Sequence, residues 1–397
     1  MEYVKGHPFF RTINQKMKSY PYLDGDISCD ILIIGGGIDG AVANYFLSQK
    51  YNVALVEKVL LGYGCSARAT CLLEYQLDEF ASALQKYMTN DDIAEIYKAG
   101  LYGIDKLEKL VQSLGEDCYF AKRPSLIYSD CILDRREIEK EYNFRKKRGF
   151  EAKLLTKENN LFDFEIDRGV LCENGGAEVD SYLLEKALIG QSQNQDSIFE
   201  NTEIVDIKKV GGKYECLTYG GYKIYCEEVI LATGFNFKFT KNAQRLCKLS
   251  VSYTIVTNPL DGLEIYKNTL IQDAMKPYHY MRSFPDGRII LGGNDSPLKE
   301  QISPKKAEKE YDRLFNHLKN MFPKWRDKIR AEYKFCGAFG STENNLGIIG
   351  RDENGIINFL SCGANGIVNS MFGIEMVEDM LNGKEAKFEE LFSPLRK

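Results

Sequence analysis

The sequence has few residues of the kinds that build metal centres and crosslinks. Its 397 residues include only three histidines, His7, His279 and His317, so a histidine-based metal site is not expected. The 11 cysteines never form a C-x-x-C motif and are odd in number, which argues against a zinc site or a disulfide framework. This cysteine usage is typical of a protein in a reducing cytoplasm.

Long apolar runs are also missing. No stretch of about 18 consecutive apolar residues occurs, so the sequence predicts no transmembrane helix. Residues 1–25 lack the apolar core of a signal peptide. We therefore expect a cytoplasmic protein.

Charge of one sign is not concentrated anywhere. The formal net charge is −5, and acidic and basic residues are mixed along the chain, which offers no basic surface for nucleic acid. The basic run 145–148 is short and is interpreted as an exposed helix end. Apolar residues make up 44% of the chain, enough for a sizeable core, and the length favours two domains.

A strand–helix–strand pattern occupies residues 30–57. The apolar run 31–34 stops at a glycine and is typical of a buried parallel strand. Helix-compatible residues follow from Ile38 to Gln49, and residues 53–57 form a second strand pattern. The sequence therefore predicts a βαβ unit.

Three glycines between the first strand and the helix give this unit a chemical role. Gly35 allows the tight turn, Gly37 leaves room for a pyrophosphate, and Gly40 lets the helix pack close to the strand. Glu57 ends the second strand, where a carboxylate accepts hydrogen bonds from ribose hydroxyls and repels a 2′-phosphate. These residues, with Ile38 and Lys58 beside them, predict a dinucleotide site.

The rest of the chain alternates helical and strand patterns. We expect helices over 78–115, outside the nucleotide-binding core, and over 133–149, 304–321 and 370–382. Strand patterns at 202–207, 214–218 and 222–225 predict a small antiparallel sheet, and 228–231 a further buried strand. A turn at 285–287 predicts a hairpin between 278–283 and 288–291.

Two later segments favour FAD over NAD. Residues 62–68 and the strand end at Ala232, Thr233 and Gly234 together resemble the FAD-dependent D-amino-acid oxidase superfamily, the glycine oxidase, sarcosine oxidase and γ-glutamylputrescine oxidase group. In that family a G-x-S-x-R segment contacts the flavin, and Ser66 and Arg68 match it. Further segments match in the family's order along the chain: 177–180, 204–205, 280–282, 286–293, 341–350, 361–367 and 391–396.

The resemblance implies an α/β fold: a Rossmann-like FAD-binding domain with a parallel central sheet, interleaved with an α+β substrate domain built on an antiparallel sheet. The expected ranges are 26–80, 165–240 and 335–397 for the FAD-binding domain, 81–164 and 241–334 for the substrate domain, and 1–25 for an N-terminal extension.

The resemblance also implies the residues that contact FAD. Besides the glycine motif, these are Ser66, Arg68, Ala69, Thr70, Val205, Ala232, Thr233, Gly234, Gly363, Ala364, Asn365, Gly366 and Ile367. The last five precede or begin a helix. Backbone N–H groups at that helix end are suited to negative charge near flavin N1 and O2.

Strand alternation selects the candidate catalytic residues. Tyr278, Tyr280 and Arg282 share one face of their strand, and His279 lies on the other. If the first face lines the pocket, Arg282 can pair with a substrate carboxylate and Tyr280 can hydrogen-bond to the substrate. The alternative is a surface arginine beside two packed tyrosines.

The sequence departs from the family at functional positions. Residues 337–340 contain no arginine for a substrate carboxylate, so either Arg282 substitutes or the substrate is not a simple amino acid. Apolar residues at 290–291 replace the lysine that activates oxygen in sarcosine-oxidase-like members. Cys336 lies near the position of a cysteine that carries covalent flavin in some relatives; the alternative is a buried thiol.

Three functions remain open. The first is oxidation of the C–N bond of an amino acid or secondary amine by hydride transfer to flavin N5. The second is oxidation of a C–O bond in a hydroxy acid or glycerol-3-phosphate-like substrate, for which His279 is the candidate base. The third is an electron-transfer or flavin-holding subunit. Expected partners are a small-molecule substrate and either a second copy of the chain or an electron acceptor.

Overall fold

The computed structural model describes residues 4–262, 268–298, 302–363 and 365–397. Ala364, one of the predicted flavin contacts, lies outside these residues. Among the described residues no helix is long and apolar enough to cross a membrane.

The described strands and helices are numbered in chain order. The strands are β1 (Val4–Gly6), β2 (Ile27–Ile34), β3 (Val53–Val56), β4 (Leu72–Glu74), β5 (Ala121–Ser129), β6 (Lys153–Thr156), β7 (Arg168–Glu178), β8 (Ile198–Phe199), β9 (Ile204–Val210), β10 (Lys213–Thr218), β11 (Lys223–Leu231), β12 (Cys247–Thr257), β13 (Leu270–Asp273), β14 (His279–Ser283), β15 (Ile289–Pro297), β16 (Ala331–Thr342), β17 (Ile348–Arg351) and β18 (Ile357–Leu360). The helices are α1 (Phe9–Ile13), α2 (Ile38–Leu47), α3 (Ala81–Leu84), α4 (Asn90–Leu114), α5 (Arg135–Lys147), α6 (Ser181–Gln191), α7 (Lys241–Leu246), α8 (Pro304–Met321), α9 (Gly366–Leu381) and α10 (Glu389–Phe392).

A parallel sheet forms the nucleotide-binding half. The strands β18, β11, β2, β3 and β8 are neighbours in that order and pair in parallel. The central strands β2 and β3 are buried on both faces, which explains their continuous apolar runs. The predicted βαβ unit is β2, α2 and β3, and it is confirmed.

The small antiparallel sheet is also confirmed, as β9, β10 and β11. Here the structure corrects one boundary. The predicted strands 222–225 and 228–231 are one strand, β11, whose first half pairs with β10 and whose whole length pairs with β2. Cys226 is buried at the point where the two predicted strands meet, so the chain continues without a turn.

The second sheet has ten strands and carries the predicted hairpin. Its order is β1, β16, β12, β15, β14, β13, β5, β7 and β4, with β6 paired to β7. Strands β14 and β15 pair antiparallel around the predicted turn, which confirms the hairpin. We call the face covered by α8 the outer face; there Leu314 and Leu318 pack on Ile255 and Leu291. The opposite face, toward the nucleotide-binding half, is the inner face.

Helix α4, predicted to lie outside the nucleotide-binding core, packs against α9 of the predicted FAD-binding range. Its residues Ile104 and Leu107 belong to the same core cluster as Met371 of α9. A Cβ on Gly103 would stand 2.8 Å from the carbonyl oxygen of Val368, so the two helices are in close contact. The apolar stripe of α4 was recognised correctly, but a stripe does not specify which surface it covers.

Sheet membership differs from the predicted domain ranges in four places. Strands β4, β7 and β16 lie wholly or partly in ranges assigned to the FAD-binding domain, yet they pair in the ten-stranded sheet. Strand β1, in the predicted N-terminal extension, pairs with β16. Pairing between distant strands decides membership, and local sequence patterns do not encode it. Helix α9 also begins four residues earlier than predicted.

Candidate active site

The glycine motif has the geometry that the sequence predicts. Gly35 has φ +106°, and a Cβ there would stand 2.5 Å from the carbonyl oxygen of Ala232. A Cβ on Gly40 would stand 1.8 Å from the carbonyl oxygen of Gly35, so this helix–strand contact excludes any side chain. A Cβ on Gly37 would meet only Ser66 Oγ, at 3.3 Å. The protein alone therefore gives little reason for glycine at position 37. A ligand that lies against this backbone would explain why a side chain is absent there.

Two oxygen-bearing side chains border this loop. Glu57 Oε2 accepts a hydrogen bond from the Gly36 N–H at 2.9 Å, which places its carboxylate at the loop. Ser66 Oγ accepts from the Ile38 N–H at 2.9 Å, at the first residue of α2. That position is the positive end of the helix, where a phosphate oxygen is stabilised. Lys58 is exposed beside them.

Segment 232–234 adjoins the glycine loop from β11. The Ala232 N–H donates to the carbonyl of Ile34, and Thr233 Oγ1 donates to the carbonyl of Asn236. Gly234 has φ +59°, which turns the chain away from the sheet. Val205 lies half-buried in β9, three residues after Thr202, whose N–H donates to the carbonyl of Glu57. The structure thus brings together the adenosine-side residues that the sequence singled out.

Asp39 is a site residue that sequence reasoning missed. It is buried in the first turn of α2, and its Oδ2 accepts from the Ser361 N–H at 3.0 Å, joining α2 to the segment before α9. Burial raises the pKa of Asp39 to about 6, and the hydrogen bond from Ser361 opposes this. An acidic residue inside a G-x-G-x-x-G motif at a helix N-terminus is the signal that could have identified it.

The loop before α9 is connected to strand β4. Asn365 Oδ1 accepts from the Glu74 N–H at 3.2 Å, and Asn365 Nδ2 donates to the Gln76 carbonyl at 2.6 Å. Gly363 has φ +95°, and its N–H donates to the carbonyl of Gly340. Gly366 begins α9, and Ile367 packs in the core below. The side chain of Asn365 therefore fixes the loop that the flavin ring is expected to meet.

Arg68 lies where the short helix Ser66–Arg68 approaches β16. Its Nη1 donates to the carbonyls of Tyr63 and Gly64, while its buried Nε has no hydrogen-bond partner among the described residues. A buried N–H without a partner is costly, so this atom indicates a missing acceptor. Cys65 donates to the Ala338 carbonyl, and burial raises its pKa to about 12, so it is a packed neutral thiol.

These observations test the fit to FAD. Gly37 leaves space that no protein atom requires, Ser66 occupies the phosphate-binding end of α2, and Arg68 Nε lacks an acceptor. Asp39 Oδ1 and Ser361 Oγ are also buried without partners in the described chain. The residues present therefore fit a bound dinucleotide that extends from the glycine loop to the start of α9.

The structure gives Arg282 three partners within the protein, and its role in substrate binding stays a prediction. The side chain is 1% exposed: Nε donates to the Thr70 carbonyl, Nη2 to the Val179 carbonyl, and Nη1 to Glu178 Oε2 at 3.2 Å. It connects the flavin-side segment 68–70 to the inner face. Strand alternation placed Arg282 on the inner face correctly, but only the structure shows its partners.

Tyr280 lies on the inner face beside the nucleotide-binding half, as predicted. Its hydroxyl is 2.6 Å from Ser252 Oγ, and its ring stands 5.6 Å from that of Tyr278. Burial raises the pKa of Tyr280, and the charges of Asp295 and Asp78 add to this. Its catalytic role stays a prediction.

His279 lies on the outer face, away from the predicted flavin. Its Nδ1 is 2.7 Å from Asp273 Oδ2 and its Nε2 is 3.1 Å from Asn294 Oδ1. Its ring stacks on His317 of α8 at 4.0 Å. Burial lowers the pKa of His317 to about 4, and the charge of His279 contributes. Asp273, His279 and His317 are close enough to share a metal ion, but both ring nitrogens of His279 already have hydrogen-bond partners. The catalytic role of His279 stays a prediction, and these contacts place its ring under α8.

Cys336 is a buried thiol. It is 0% exposed and belongs to the outer-face core cluster with Tyr253 and Tyr311. Burial raises the pKa of its thiol. These observations fit the alternative of a packed thiol, and the covalent link to flavin stays a prediction.

The fold and the glycine site define a flavoprotein oxidoreductase. The family model for FAD-dependent oxidoreductases matches residues 30–379, and the chain belongs to this family. FAD is accordingly its cofactor, as the sequence predicted.

Individual relatives are distant. The putative Rieske 2Fe-2S iron-sulfur protein YhfW of Bacillus subtilis is 27% identical over 226 residues, which cover 56% of this chain and 43% of that protein. The γ-glutamylputrescine oxidoreductase of Escherichia coli is 21% identical and covers 96% of this chain and 90% of that protein. The crystal structure of glycine oxidase from Geobacillus kaustophilus superposes with a TM-score of 0.78 at 20% identity, covering 93% of this chain and 99% of that chain. This likeness shows the fold and confirms the predicted class.

Proposed function

We propose that the protein oxidises the C–N bond of an amine or amino acid. The observation that carries this proposal is the placement of His279 on the outer face, hydrogen-bonded to Asp273 and Asn294. Oxidation of a C–O bond needs a base for the hydroxyl proton, and the candidate histidine cannot reach the flavin side. An amine that arrives neutral needs no strong base.

FAD, when bound, supplies the hydride acceptor for this reaction. The chain's own residues position and enclose the site. Asn365 fixes the loop before α9, whose free N–H groups and helix dipole favour negative charge. Arg282 connects the flavin-side segment to the inner face. Tyr280 and Ser252 offer hydroxyl groups to a substrate amine from the inner face.

The names of two similar proteins support the same reaction class. Both γ-glutamylputrescine oxidoreductase and glycine oxidase are named for compounds that contain a C–N bond. The similarity to a putative Rieske protein and the apolar residues Ile290 and Leu291 support an electron acceptor other than oxygen. An iron–sulfur protein or a second copy of this chain is the expected partner.

The test is an anaerobic substrate screen. Purified yellow protein is mixed with amines, amino acids and hydroxy acids, and the flavin absorbance is followed. We expect bleaching by an amine or amino acid and slow recovery when oxygen is readmitted. Bleaching by hydroxy acids alone would overturn the proposed reaction, and fast recovery in oxygen would overturn the proposed acceptor.

A further inference from the structure

Carboxyl groups surround the tyrosines of the inner face. Burial is the main cause that raises the pKa of the Tyr278 hydroxyl, and the charges of Asp78, Asp295 and Glu74 raise it further. The charges of Asp295 and Asp78 act in the same direction on Tyr280. These interactions place three acids from two separate segments, 74–78 and β15, around one pair of tyrosines.

Several polar atoms in this group have no partner in the described parts of the chain. They are Glu74 Oε1, both amide atoms of Gln76, and Asp295 Oδ1. Glu74 is 8% and Gln76 2% exposed, so these atoms are shielded from bulk solvent. Buried polar atoms are nearly always hydrogen-bonded in folded proteins. Glu74 also interacts with Gln76, and Asp295 with Ser252, so each acid is held by one neighbour. Three of the four atoms without partners are oxygen acceptors and one is the Gln76 Nε2 donor, so the set favours a ligand that donates hydrogen bonds.

The cluster adjoins the predicted flavin position. The backbones of Glu74 and Gln76 both bond to the side chain of Asn365, in the loop before α9. Tyr280 stands across from them on the inner face, with Ser252 at 2.6 Å. A ligand bound to these acceptors therefore lies between the two halves of the molecule, where substrate is expected.

Nearby positive charge is already neutralised. Arg282 pairs with Glu178, which also accepts from Arg123, and the charge of Asp180 acts on Arg282 as well. Arg145 is buried against Glu141 at 2.7 Å. Both arginines thus pair with a carboxylate. Nη2 of Arg145 has no partner in the described chain, and the charge of Arg145 acts on Glu74, an acid of the cluster.

We propose that the substrate is an amine that carries a second cationic group, such as an aliphatic diamine, and that it needs no carboxylate. This inference rests on the proposed C–N oxidation. One ammonium group donates to Glu74, Gln76 and Asp295, while the other amine is presented to the flavin beside Tyr280. An ammonium has three donors, which matches three acceptors.

The ionisation of the acids supports this assignment. Burial raises the pKa of Glu74 to about 7 and that of Asp295 to about 6. Gln76 and Arg145 oppose this shift at Glu74, and Ser252 and His279 oppose it at Asp295, without cancelling it. A bound cation would further stabilise the charged forms.

The test compares amines of equal chain length whose second functional group is cationic, absent or anionic. Aliphatic diamines of three to six carbons are compared with the matching monoamines and ω-amino acids. Binding is measured by calorimetry with dithionite-reduced holoenzyme, which cannot oxidise them, and oxidation by anaerobic flavin bleaching. We expect at least one diamine to bind about tenfold or more tightly than its monoamine, and the amino acid to bind most weakly.

The outcomes separate this inference from the proposed function. If a monoamine or an amino acid binds as tightly as every diamine and bleaches the flavin, the second-cation inference fails while C–N oxidation stands. If only hydroxy acids bleach the flavin, both fail.

Variants test the named acceptors. Asp295→Asn is expected to weaken diamine binding about tenfold and monoamine binding by much less, with FAD content unchanged. Glu74→Gln is expected to act in the same direction, and it provides a second measurement if one variant does not fold. Glu310→Gln, a buried carboxyl on α8 that pairs with Arg313 on the outer side, is the matched control. If both test variants lose the same binding affinity for the diamine as for the monoamine, the assignment is overturned.

Discussion

The two faces of the ten-stranded sheet differ in how their polar groups are satisfied. On the outer face, His279, Asp273 and Asn294 form a closed set of hydrogen bonds under α8. On the inner face, Glu74, Asp295 and their neighbours leave buried atoms without partners in the described chain. The histidine attracts attention in the sequence, but the carboxyls with unpartnered atoms carry the proposed substrate site.

Arg282 gives the largest expected effect, because it is a buried charged group on the inner face that is paired with Glu178 and bonded to two backbone carbonyls. Replacing it with alanine removes the hydrogen bonds that Arg282 donates to buried Glu178 and to the Thr70 carbonyl. We expect a loss of about 3–5 kcal/mol in the free energy of unfolding, together with loss of FAD. Thermal unfolding and flavin absorbance measure both.

The control for this prediction is Arg313→Ala. Its side chain is 57% exposed and pairs within α8, so the expected loss is below about 1 kcal/mol. Similar stability of the two variants would contradict the structural role of Arg282.

The buried acid of the inner face predicts a pH effect. Because burial raises the folded-state pKa of Glu74 from 4.5 to about 7, its ionisation lowers stability as the pH rises through this range. Glu74→Gln removes the ionisable group and with it this loss of stability. The free energy of unfolding of the variant, relative to the parent protein, should therefore rise by about 2–3 kcal/mol between pH 4 and pH 8.

Urea unfolding at several pH values measures this difference. Glu95→Gln is the control, because Lys98 lowers the pKa of that exposed carboxyl and the variant should show a small trend of opposite sign. A difference for Glu74→Gln that does not change with pH would show that this carboxyl is not desolvated.

The outer face makes the reverse prediction. His279→Asn removes hydrogen bonds to Asp273 and Asn294, so we expect stability to fall by about 1–3 kcal/mol. The turnover per bound flavin should stay within about twofold of the parent, because the ring lies on the far side of the sheet. A tenfold loss of turnover with full FAD content would return His279 to the active site.

Cys336→Ala gives the smallest expected effect. The thiol packs against Tyr311 on the outer face, and its loss leaves a small cavity that costs about 1 kcal/mol. Flavin should be released by acid precipitation from both parent and variant. Flavin retained by the parent but released by the variant would establish a covalent link.

Local patterns were sufficient where neighbours in sequence are neighbours in space. The glycine motif, the βαβ unit and the hairpin of β14 and β15 each lie within one short segment, and all were predicted correctly. Long-range pairing was not predictable in this way. Strand β7 pairs with β4, β5 and β6, and its own sequence does not indicate which sheet it joins.

The sequence by itself determined the dinucleotide site, because Gly35, Gly37, Gly40 and Glu57 act through local backbone geometry. The segments 62–68 and 232–234 then favoured FAD and the class of protein. It also determined which side chains of β14 share a face. The tertiary structure decided what each of them does: whether Arg282 is free or paired, which face carries His279, and which acids surround Tyr278. Those properties depend on groups brought together from distant segments, and the hydrogen bonds and burial they create exist only after folding.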